Sequence, residues 1–292
     1  MNKSSRHHYI PQFFIKNFTD DDGFLFVYNK IENRISNRKL SPKSIFFEID
    51  RNTVDFSGQQ LDNLESLYAE LDNKISPDLK NVLLTKTVTP EELTSLALLA
   101  CLLKWRIPKS DERFNTIKQD LTQEDLAIKI TIKDKNIKVD EEAIKHIETS
   151  DIFKETKRIL LGILPFINSN KLLEIHNNSF IQTNTFFPSV IGDCPIIEKE
   201  NFDINKFDIN KIEDFILPLS STDTFIYKQD CKKGINNSLF FIQRDIAIIE
   251  ASEEYIGCKS KEHLEKIVEI YNQTKVDNNL GNIHKHIFKF IN

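Results

Sequence analysis

The sequence predicts an α+β fold, in which a central bundle of helices carries an N-terminal β-hairpin that joins a mostly antiparallel C-terminal sheet. Helical periodicity fills the middle of the chain, roughly residues 60–165, and short β-rich runs fill roughly residues 171–251. No linker rich in Pro, Gly or Ser separates these parts. We therefore expect one domain over residues 1–292.

Two runs on either side of a turn predict the N-terminal hairpin. Residues 24–29 are dense in β-forming side chains, and residues 34–39 supply the second strand. The preceding run, residues 20–23, reads DDDG. We expect it to form a solvated turn, because the spaced ligand series of a calcium loop, ending in Glu, is absent.

A first helix is predicted by apolar residues that recur at helical spacing from Leu61 to Ile75. Asp55 or Ser57 is its expected N-cap. Pro77 is expected to bend or end it, because proline lacks the N–H that continues the helical hydrogen bonds.

A second helix is predicted to begin at Thr89, an N-cap residue followed by Pro and two Glu. It is apolar on most faces as far as Lys104, which is typical of a helix inside a bundle. Arg106 arrives at its end. This cation either interacts with the helix dipole or points at an anion in a cleft.

The remaining segments are assigned from their local patterns. Residues 127–139 fit a helix or a hairpin equally well. The other predictions are amphipathic helices over 110–126 and 140–167, strands over 172–184, 189–197, 215–228 and 236–251, an exposed loop over 199–214, a helix over 260–274 and a last strand over 283–291.

Charge and cysteine usage restrict the class of protein. The net charge of −5 gives no general basic field for gripping duplex nucleic acid, although a local basic patch is compatible with it. The four cysteines have no metal-ligand spacing and fit a reducing cytoplasm. The sequence contains no signal peptide and no apolar run that could span a membrane, so we expect a cytoplasmic protein without a membrane partner.

The strongest sequence signal for a site is residues 6–18, which read RHHYIPQFFIKNF. The segment is too apolar to remain in solvent, so we expect it to be tucked into the body of the protein. His7 and His8 would point to opposite faces of an extended segment. Each imidazole could act in proton transfer or binding, or could be a buried structural group.

Asp193 is the second signal, because it lies in a sharp turn at a strand end, where acids often act. The alternative is an acid that binds its own backbone. Cys194 beside it has no activating neighbour in the sequence and is expected to fill space.

The opening segment resembles the start of a bacterial family known as domain of unknown function 4238, which begins with an HHYxPxFxLxxF-like signature. The resemblance continues through residues 24–30, the helix that carries Glu65, and residues 104–113 with their Arg-x-Pro unit. Residues 190–197 are similar to the family's Ser-Asp-x-Pro strand end, with Gly192 in place of Ser. Residues 217–223 are similar to its Pro-Leu-Ser step. The family's name states no activity.

The resemblance implies a constellation of side chains drawn from distant segments. Histidines, arginines and acids together suit an anionic substrate. The implied catalytic residues are His7, His8, Glu65 and Asp193, and the implied substrate-binding residues are Arg6, Gln12 and Arg106.

Two functions are compatible with this constellation. The first is a hydrolase of a phosphodiester or nucleic-acid substrate, with Mg²⁺ or Mn²⁺ as a candidate cofactor, nucleic acid or nucleotide as partner, and a role in bacterial stress or phage defence by analogy. The second is a non-catalytic binding protein, with a protein partner as one option, in which the same residues form a structural polar network. An active site would be open to solvent, and a structural network would be sealed.

Overall fold

The computed structural model describes residues 5–56, 58–126, 150–167, 169–281 and 283–292. In these ranges the chain has nine α-helices and four small antiparallel sheets, which confirms the α+β class. The helices are α1 (Gln12–Ile15), α2 (Asn63–Thr85), α3 (Pro90–Arg106), α4 (Asp111–Ile117), α5 (Asp151–Ile163), α6 (Ser169–Asn178), α7 (Leu239–Ala251), α8 (Lys261–Val276) and α9 (Ile283–Ile287).

The strands are short and all pair antiparallel. They are β1 (Arg6–His8), β2 (Phe26–Asn29), β3 (Arg34–Ile35), β4 (Phe47–Ile49), β5 (Val54–Phe56), β6 (Gln59–Leu61), β7 (Ser179–Thr183), β8 (Ile191–Gly192), β9 (Ile197–Glu198), β10 (Phe215–Pro218), β11 (Asp223–Tyr227) and β12 (Tyr255–Cys258).

The N-terminal hairpin joins C-terminal strands, as the sequence predicts. It consists of β2 and β3, shorter than expected, and lies in a sheet of order β3-β2-β12-β8. Ile256 of β12 lies opposite Tyr28 of β2 and, on its other side, opposite Gly192 of β8. A second sheet of order β7-β11-β10-β9 contains the predicted strands of residues 215–228.

Helix α2 begins and ends differently from its prediction. The Asp55 side chain accepts a hydrogen bond from the Gly58 backbone N–H in the β5–β6 turn and does not cap the helix. Ser57 lies outside the described residues. Pro77 lies inside the helix, which continues to Thr85. The N-cap prediction was wrong because a strand pair separates Asp55 from the first turn of the helix.

The prediction of helix α3 is confirmed. Its start was predictable because the capping residues lie within one turn of each other. The Thr89 hydroxyl accepts from the Glu92 backbone N–H, and the Glu92 side chain accepts from the Thr89 N–H, which forms a capping box. The helix packs against α2, α5 and α6. Its apolar character on most faces follows from these three neighbours.

Three predicted strands are helical instead. Residues 172–178 belong to α6, residues 239–251 form α7 and residues 283–287 form α9, whereas the strand over 179–183 is correct. Helix α7 was misassigned because it is buried from Arg244 to Ile249, so its run of Ile and Ala shows no polar face from which to recognise a helical period.

Other predictions have mixed outcomes. The helix over 260–274 is confirmed as α8, with the Ser260 hydroxyl accepting from the His263 N–H. The uncertain segment 127–139 lies outside the described residues, as does the first part of the helix predicted over 140–167, of which α5 is the described end.

The N-terminal segment lies inside the protein. After β1 pairs with β4, α1 buries its apolar side chains in the core shared with α2 and α3. Ile10, Phe14, Ile15 and Phe18 have no exposed surface. This burial fixes the position of the two histidines that precede it.

Candidate functional site

The two histidines of β1 make separate sets of contacts. In the register of β1 with β4, His7 lies opposite Glu48 and His8 opposite Phe47. Because successive side chains on a strand point to opposite faces, the imidazoles diverge. His7 Nδ1 accepts from the Asn52 backbone N–H at 3.0 Å. His8 bonds the Pro42 carbonyl through Nε2 at 3.1 Å and lies 3.4 Å from the Gln12 amide through Nδ1.

These partners fix the proton on each neutral ring. The Pro42 carbonyl can only accept, so His8 carries its proton on Nε2, and its Nδ1 accepts from Gln12. Burial lowers the pKa of His8, and the charge of Arg106 acts in the same direction, so the ring is neutral near pH 7. His7 accepts at Nδ1 and therefore also carries its proton on Nε2.

Asn52 connects the histidine strand to α2. Its backbone N–H binds His7, and its side-chain amide donates to Glu65 Oε2 at 2.7 Å. Glu65 lies in the first turn of α2. The chain His7–Asn52–Glu65 therefore joins the predicted imidazole to the predicted acid through one residue that the sequence analysis did not identify.

Arg106 is held at the end of α3 by two residues of α2. Its Nη1 donates to both carboxylate oxygens of Asp72, at 3.1 and 3.0 Å, and its guanidinium lies 4.2 Å from the ring centre of Tyr68. Tyr68, Asp72 and Glu65 share one face of α2 because they are spaced three to four residues apart. Burial raises the pKa of Asp72, which Arg106 opposes and Glu65 reinforces.

Asp193 lies apart from this cluster and binds backbone. One carboxylate oxygen accepts from the Glu253 N–H at 2.8 Å, and the other accepts from Glu254 and Tyr255 at 2.7 and 2.8 Å. The carboxylate thus holds the turn between α7 and β12 beside β8. Its charge still reaches the N-terminal segment, because it adds to burial in raising the pKa of Tyr9.

Steric crowding explains why residue 192 is a glycine. A Cβ at this position would lie 1.9 Å from Ser252 Oγ, 3.0 Å from an Ile248 methyl and 3.2 Å from Ser252 Cβ. The Ser252 hydroxyl, which donates to the Ile248 carbonyl at 2.8 Å, occupies the space. A serine like the family's could not fit here without moving Ser252.

The structure brings most of the predicted residues together. His7, His8, Gln12, Glu65 and Arg106 form one cluster. Its charges interact, since both Arg106 and Glu65 act on the pKa of His8. The side chain of Arg6 is exposed and lies over the Phe47 ring at 4.8 Å, at the edge of the cluster. Asp193 is the member outside it.

The cluster is largely sealed, and an open polar cleft adjoins it. His7, His8 and Arg106 are 2%, 8% and 4% exposed. The neighbouring cleft, of about 470 Å³, is lined by Asn52 and Tyr68, which contact Glu65 and Arg106 of this cluster. We name it the Tyr68 cleft. Its charged walls are four cations, Arg51, Lys118, Lys154 and Arg158, and four acids, Asp55, Asp111, Asp151 and Glu155.

Two arginines of the Tyr68 cleft share one carboxylate. Arg51 Nη2 lies 2.6 Å from Asp111 Oδ1, and Arg158 Nη1 lies 2.5 Å from the same oxygen. Arg51 also reaches Glu48 at 2.5 Å, and Arg158 reaches Glu155 at 3.3 Å. Neither arginine is predictable from the sequence, because each is an ordinary charged residue in its own segment.

The Tyr68 hydroxyl is buried among positive charges. Tyr68 is 2% exposed, and its hydroxyl has no hydrogen-bond partner in the described part of the chain. Burial raises the pKa of Tyr68, while Arg106, Arg158 and Arg51 act to lower it. The Tyr68 phenol therefore lies within reach of the charges of Arg106, Arg51 and Arg158, and of the opposing charge of Glu155.

Across the described ranges, no three His, Cys, Asp or Glu side chains are grouped closely enough to hold a metal ion. In the same ranges no helix has the length and apolar character needed to cross a membrane.

The chain matches a known protein family. Residues 6–230 match the family described as "Protein of unknown function (DUF4238)", and this is more than half of the chain. The matched part contains the whole cluster, the Tyr68 cleft and Asp193. Neither the curated proteins nor the solved structures include a match to the chain.

Proposed function

The chain belongs to the DUF4238 family, and we propose that it acts on a phosphorylated substrate, of phosphodiester or nucleotide type, bound in the Tyr68 cleft. The observation that carries this proposal is the buried Tyr68 hydroxyl, which lacks a partner among the described residues and lies near Arg106, Arg51 and Arg158.

Phosphate matches the chemistry of this position. Phosphate oxygens accept hydrogen bonds from hydroxyl and guanidinium donors, and arginine is the side chain best suited to bind them in pairs. A buried hydroxyl without a partner costs about 1–3 kcal/mol, which a ligand oxygen would recover. The cleft of about 470 Å³ lies within the roughly 300–1,000 Å³ typical of small-molecule sites.

Hydrolysis of this substrate is the catalytic part of the proposal. Glu65 is the candidate general base, because Asn52, which lines the cleft, binds its Oε2, and no bond to Oε1 is formed by the described residues. His7 is the candidate proton donor through Nε2, since its Nδ1 accepts from the same cleft-lining Asn52. Mg²⁺ or Mn²⁺ is the proposed cofactor, entering with the phosphate as these ions commonly do.

The second candidate is a non-catalytic binding protein. It is favoured because two of the predicted site residues already use their polar atoms in hydrogen bonds within the protein. His8 uses both ring nitrogens on Pro42 and Gln12, and Asp193 uses both oxygens on backbone N–H groups. Side chains occupied in this way hold the N-terminal segment and the β8–β12 turn in place. In this reading the cleft binds its anion without cleaving it.

Activity measurements on matched variants test the proposal. The wild-type protein, Glu65→Gln and Tyr68→Phe are incubated with single- and double-stranded DNA and RNA, with and without Mg²⁺ or Mn²⁺. Gln retains an oxygen for Asn52, so Glu65→Gln should fold. Glu70→Gln, an exposed position on the same helix, is the control.

The outcomes separate the two functions. Cleavage that Glu65→Gln abolishes and Glu70→Gln retains supports the hydrolase. Binding of these nucleic acids without cleavage, measured by titration and weakened by Tyr68→Phe, supports the binding protein. Absence of both cleavage and binding in the folded wild-type protein refutes the Tyr68 cleft as a phosphate site.

The proposed setting is the bacterial cytoplasm, with a role in stress or phage defence. Four free cysteines support the location, because thiols persist in a reducing compartment. The defence role rests on analogy with other bacterial proteins.

A further inference from the structure

A second cleft lies between the end of α3 and the segment after β8. Its volume is about 250 Å³. Lys104, Lys109 and Arg113 line one part, Cys194 and Phe202 another, and α7 and α9 complete it through Ala247 and His284 among others. We name it the Arg113 cleft. The two family-like stretches 104–113 and 190–197 both contribute to its walls.

Two nitrogen atoms of the Arg113 cleft are buried without partners. Arg113 Nη2 donates to Glu198 at 2.9 Å, but its Nη1 has no partner in the described part of the protein. His284 Nε2 is also buried and has no hydrogen-bond partner in the described part of the protein. Buried polar atoms are usually satisfied, so two of them lining one cleft indicate a missing acceptor.

Arg113 is held in place around its free nitrogen. The Glu198 bond fixes one side of the guanidinium, and the group lies 5.0 Å from the ring centre of Phe202 and 5.8 Å from that of Trp105. A guanidinium fixed in this way presents Nη1 in a constant direction, which lowers the entropy lost on binding.

The charges around the cleft favour a ligand with a single negative charge. Three cations, Lys104, Lys109 and Arg113, and three carboxylates, Glu198, Glu200 and Glu250, line it. Lys104 is paired with Glu198 at 2.5 Å, and Glu200 is paired at 3.4 Å with Lys285, which lies outside the lining. With Lys285 included, the cations exceed the carboxylates by one, which suits a monoanion such as a carboxylate.

The remaining surface of the cleft is apolar. It is lined by Ile107, Ile196, Ile197, Phe202, Ala247 and Ile283. The cleft is slightly smaller than the roughly 300–1,000 Å³ of drug-sized sites. A small ligand with a hydrocarbon body would remove this surface from water, which favours binding.

We propose that the Arg113 cleft binds a small monocarboxylic acid with an apolar body. The carboxylate accepts from Arg113 Nη1, His284 Nε2–H is the second donor offered to the ligand, and the hydrocarbon part packs on the isoleucines and Phe202. Burial lowers the pKa of His284, so the imidazole is neutral at pH 7 and has one N–H to donate.

Calorimetric titration of the full chain tests this proposal with isovalerate, phenylacetate and phenylacetamide. The amide has the shape of phenylacetate without its charge. We expect at least one acid to bind with a dissociation constant below about 10 mM, and the amide to bind at least about tenfold more weakly than phenylacetate.

Substitutions in the Arg113 cleft test whether the acid binds there. His284→Phe keeps the ring and removes the nitrogen, and Arg113→Lys keeps the charge but removes Nη1. Each should weaken binding about tenfold or more. His286→Phe, an exposed neighbour on α9, should leave binding unchanged. If Arg113→Lys does not show the melting transition of the wild-type protein, the variant is not folded. The test of the proposal then rests on His284→Phe alone.

Three results would overturn the proposal: no binding of either acid up to about 10 mM, equal binding of the acid and its amide, or wild-type affinity in His284→Phe. Tyr68→Phe should not change acid binding, because Tyr68 does not line this cleft. Failure at the Arg113 cleft is therefore distinguishable from failure at the Tyr68 cleft.

Discussion

At the scale of single residues, the partners of each side chain decide what chemistry is open to it. His7 and His8 are neighbours with similar burial, yet His8 has both nitrogens engaged and His7 has one. The sequence identified both histidines from their apolar surroundings. It could not assign their partners, because Pro42 and Asn52 approach from separate segments.

Tyr68→Phe is expected to raise stability and weaken ligand binding together. Removing a buried hydroxyl that lacks a partner should increase the free energy of unfolding by about 1 kcal/mol. The same change removes a donor to phosphate. Urea unfolding measures the first effect, and titration with a nucleotide measures the second. A less stable variant would mean that the hydroxyl has a partner in solution.

Asp193→Asn is expected to destabilise the protein whether or not it is an enzyme. Asparagine replaces one accepting oxygen by an N–H₂ group, which would face a backbone N–H of residues 253–255. The expected loss is about 1–3 kcal/mol in the free energy of unfolding. Chemical denaturation gives this value. Unchanged stability combined with lost activity would restore Asp193 as a catalytic residue.

At the scale of elements, helices with local start signals were predicted correctly, and a buried helix was not. The start of α3 was predictable because Thr89 and Glu92 bind each other across a single turn. Helix α7 was not, because its Arg244–Asp245 pair is buried with its apolar residues and leaves no exposed polar stripe. Its contact with β8 also requires Gly192, which sequence analysis noted as a departure without a reason.

Gly192→Ala is expected to cost about 1–3 kcal/mol, the usual penalty for overpacking a core. The added methyl meets Ser252 Oγ first. The double variant Gly192→Ala/Ser252→Ala should therefore be less destabilised than the sum of its single changes. Thermal unfolding of all three variants measures the coupling.

Gly281→Ala is the matched control, because a Cβ at that position meets no atom within 4 Å. It should change stability by no more than about 0.5 kcal/mol. Additive costs in the double variant would show that Ser252 does not occupy the space beside Gly192.

At the scale of the whole molecule, ion pairs connect the helices to the sheets. Glu198 of β9 binds Lys104 of α3 and Arg113 of α4, at 2.5 and 2.9 Å. These two cations outweigh burial and lower the pKa of Glu198 to about 2. Asp223 of β11 binds Lys86 beyond the end of α2 at 2.8 Å, and its pKa is also lowered.

Stability is expected to fall as the pH drops from about 4.5 towards 2. A carboxylate whose pKa is lower in the folded state stabilises it above the unfolded pKa of 4.5, and this contribution is lost as the pH falls through the folded value of about 2. Melting temperatures measured across this range test the expectation. Glu198→Gln should flatten the profile, and an unchanged slope would exclude Glu198 as its source.

The sequence by itself determined what is local. It predicted the helical middle, the N-terminal hairpin, the helix start at Thr89 and the polar residues of the opening segment. These features are predictable because helical periodicity, capping residues and turn residues act over a few positions. It also identified Glu65 and Arg106 through the family resemblance.

Only the tertiary structure decided which residues meet. Tyr68, Arg51 and Arg158 come from three segments, and none has a pattern that predicts the others. It also separated Asp193 from the histidines, and it buried residues 244–249 of α7 together, so that the helical period could not be read there. Contacts between distant segments depend on how the elements pack, and a local pattern contains no record of that packing.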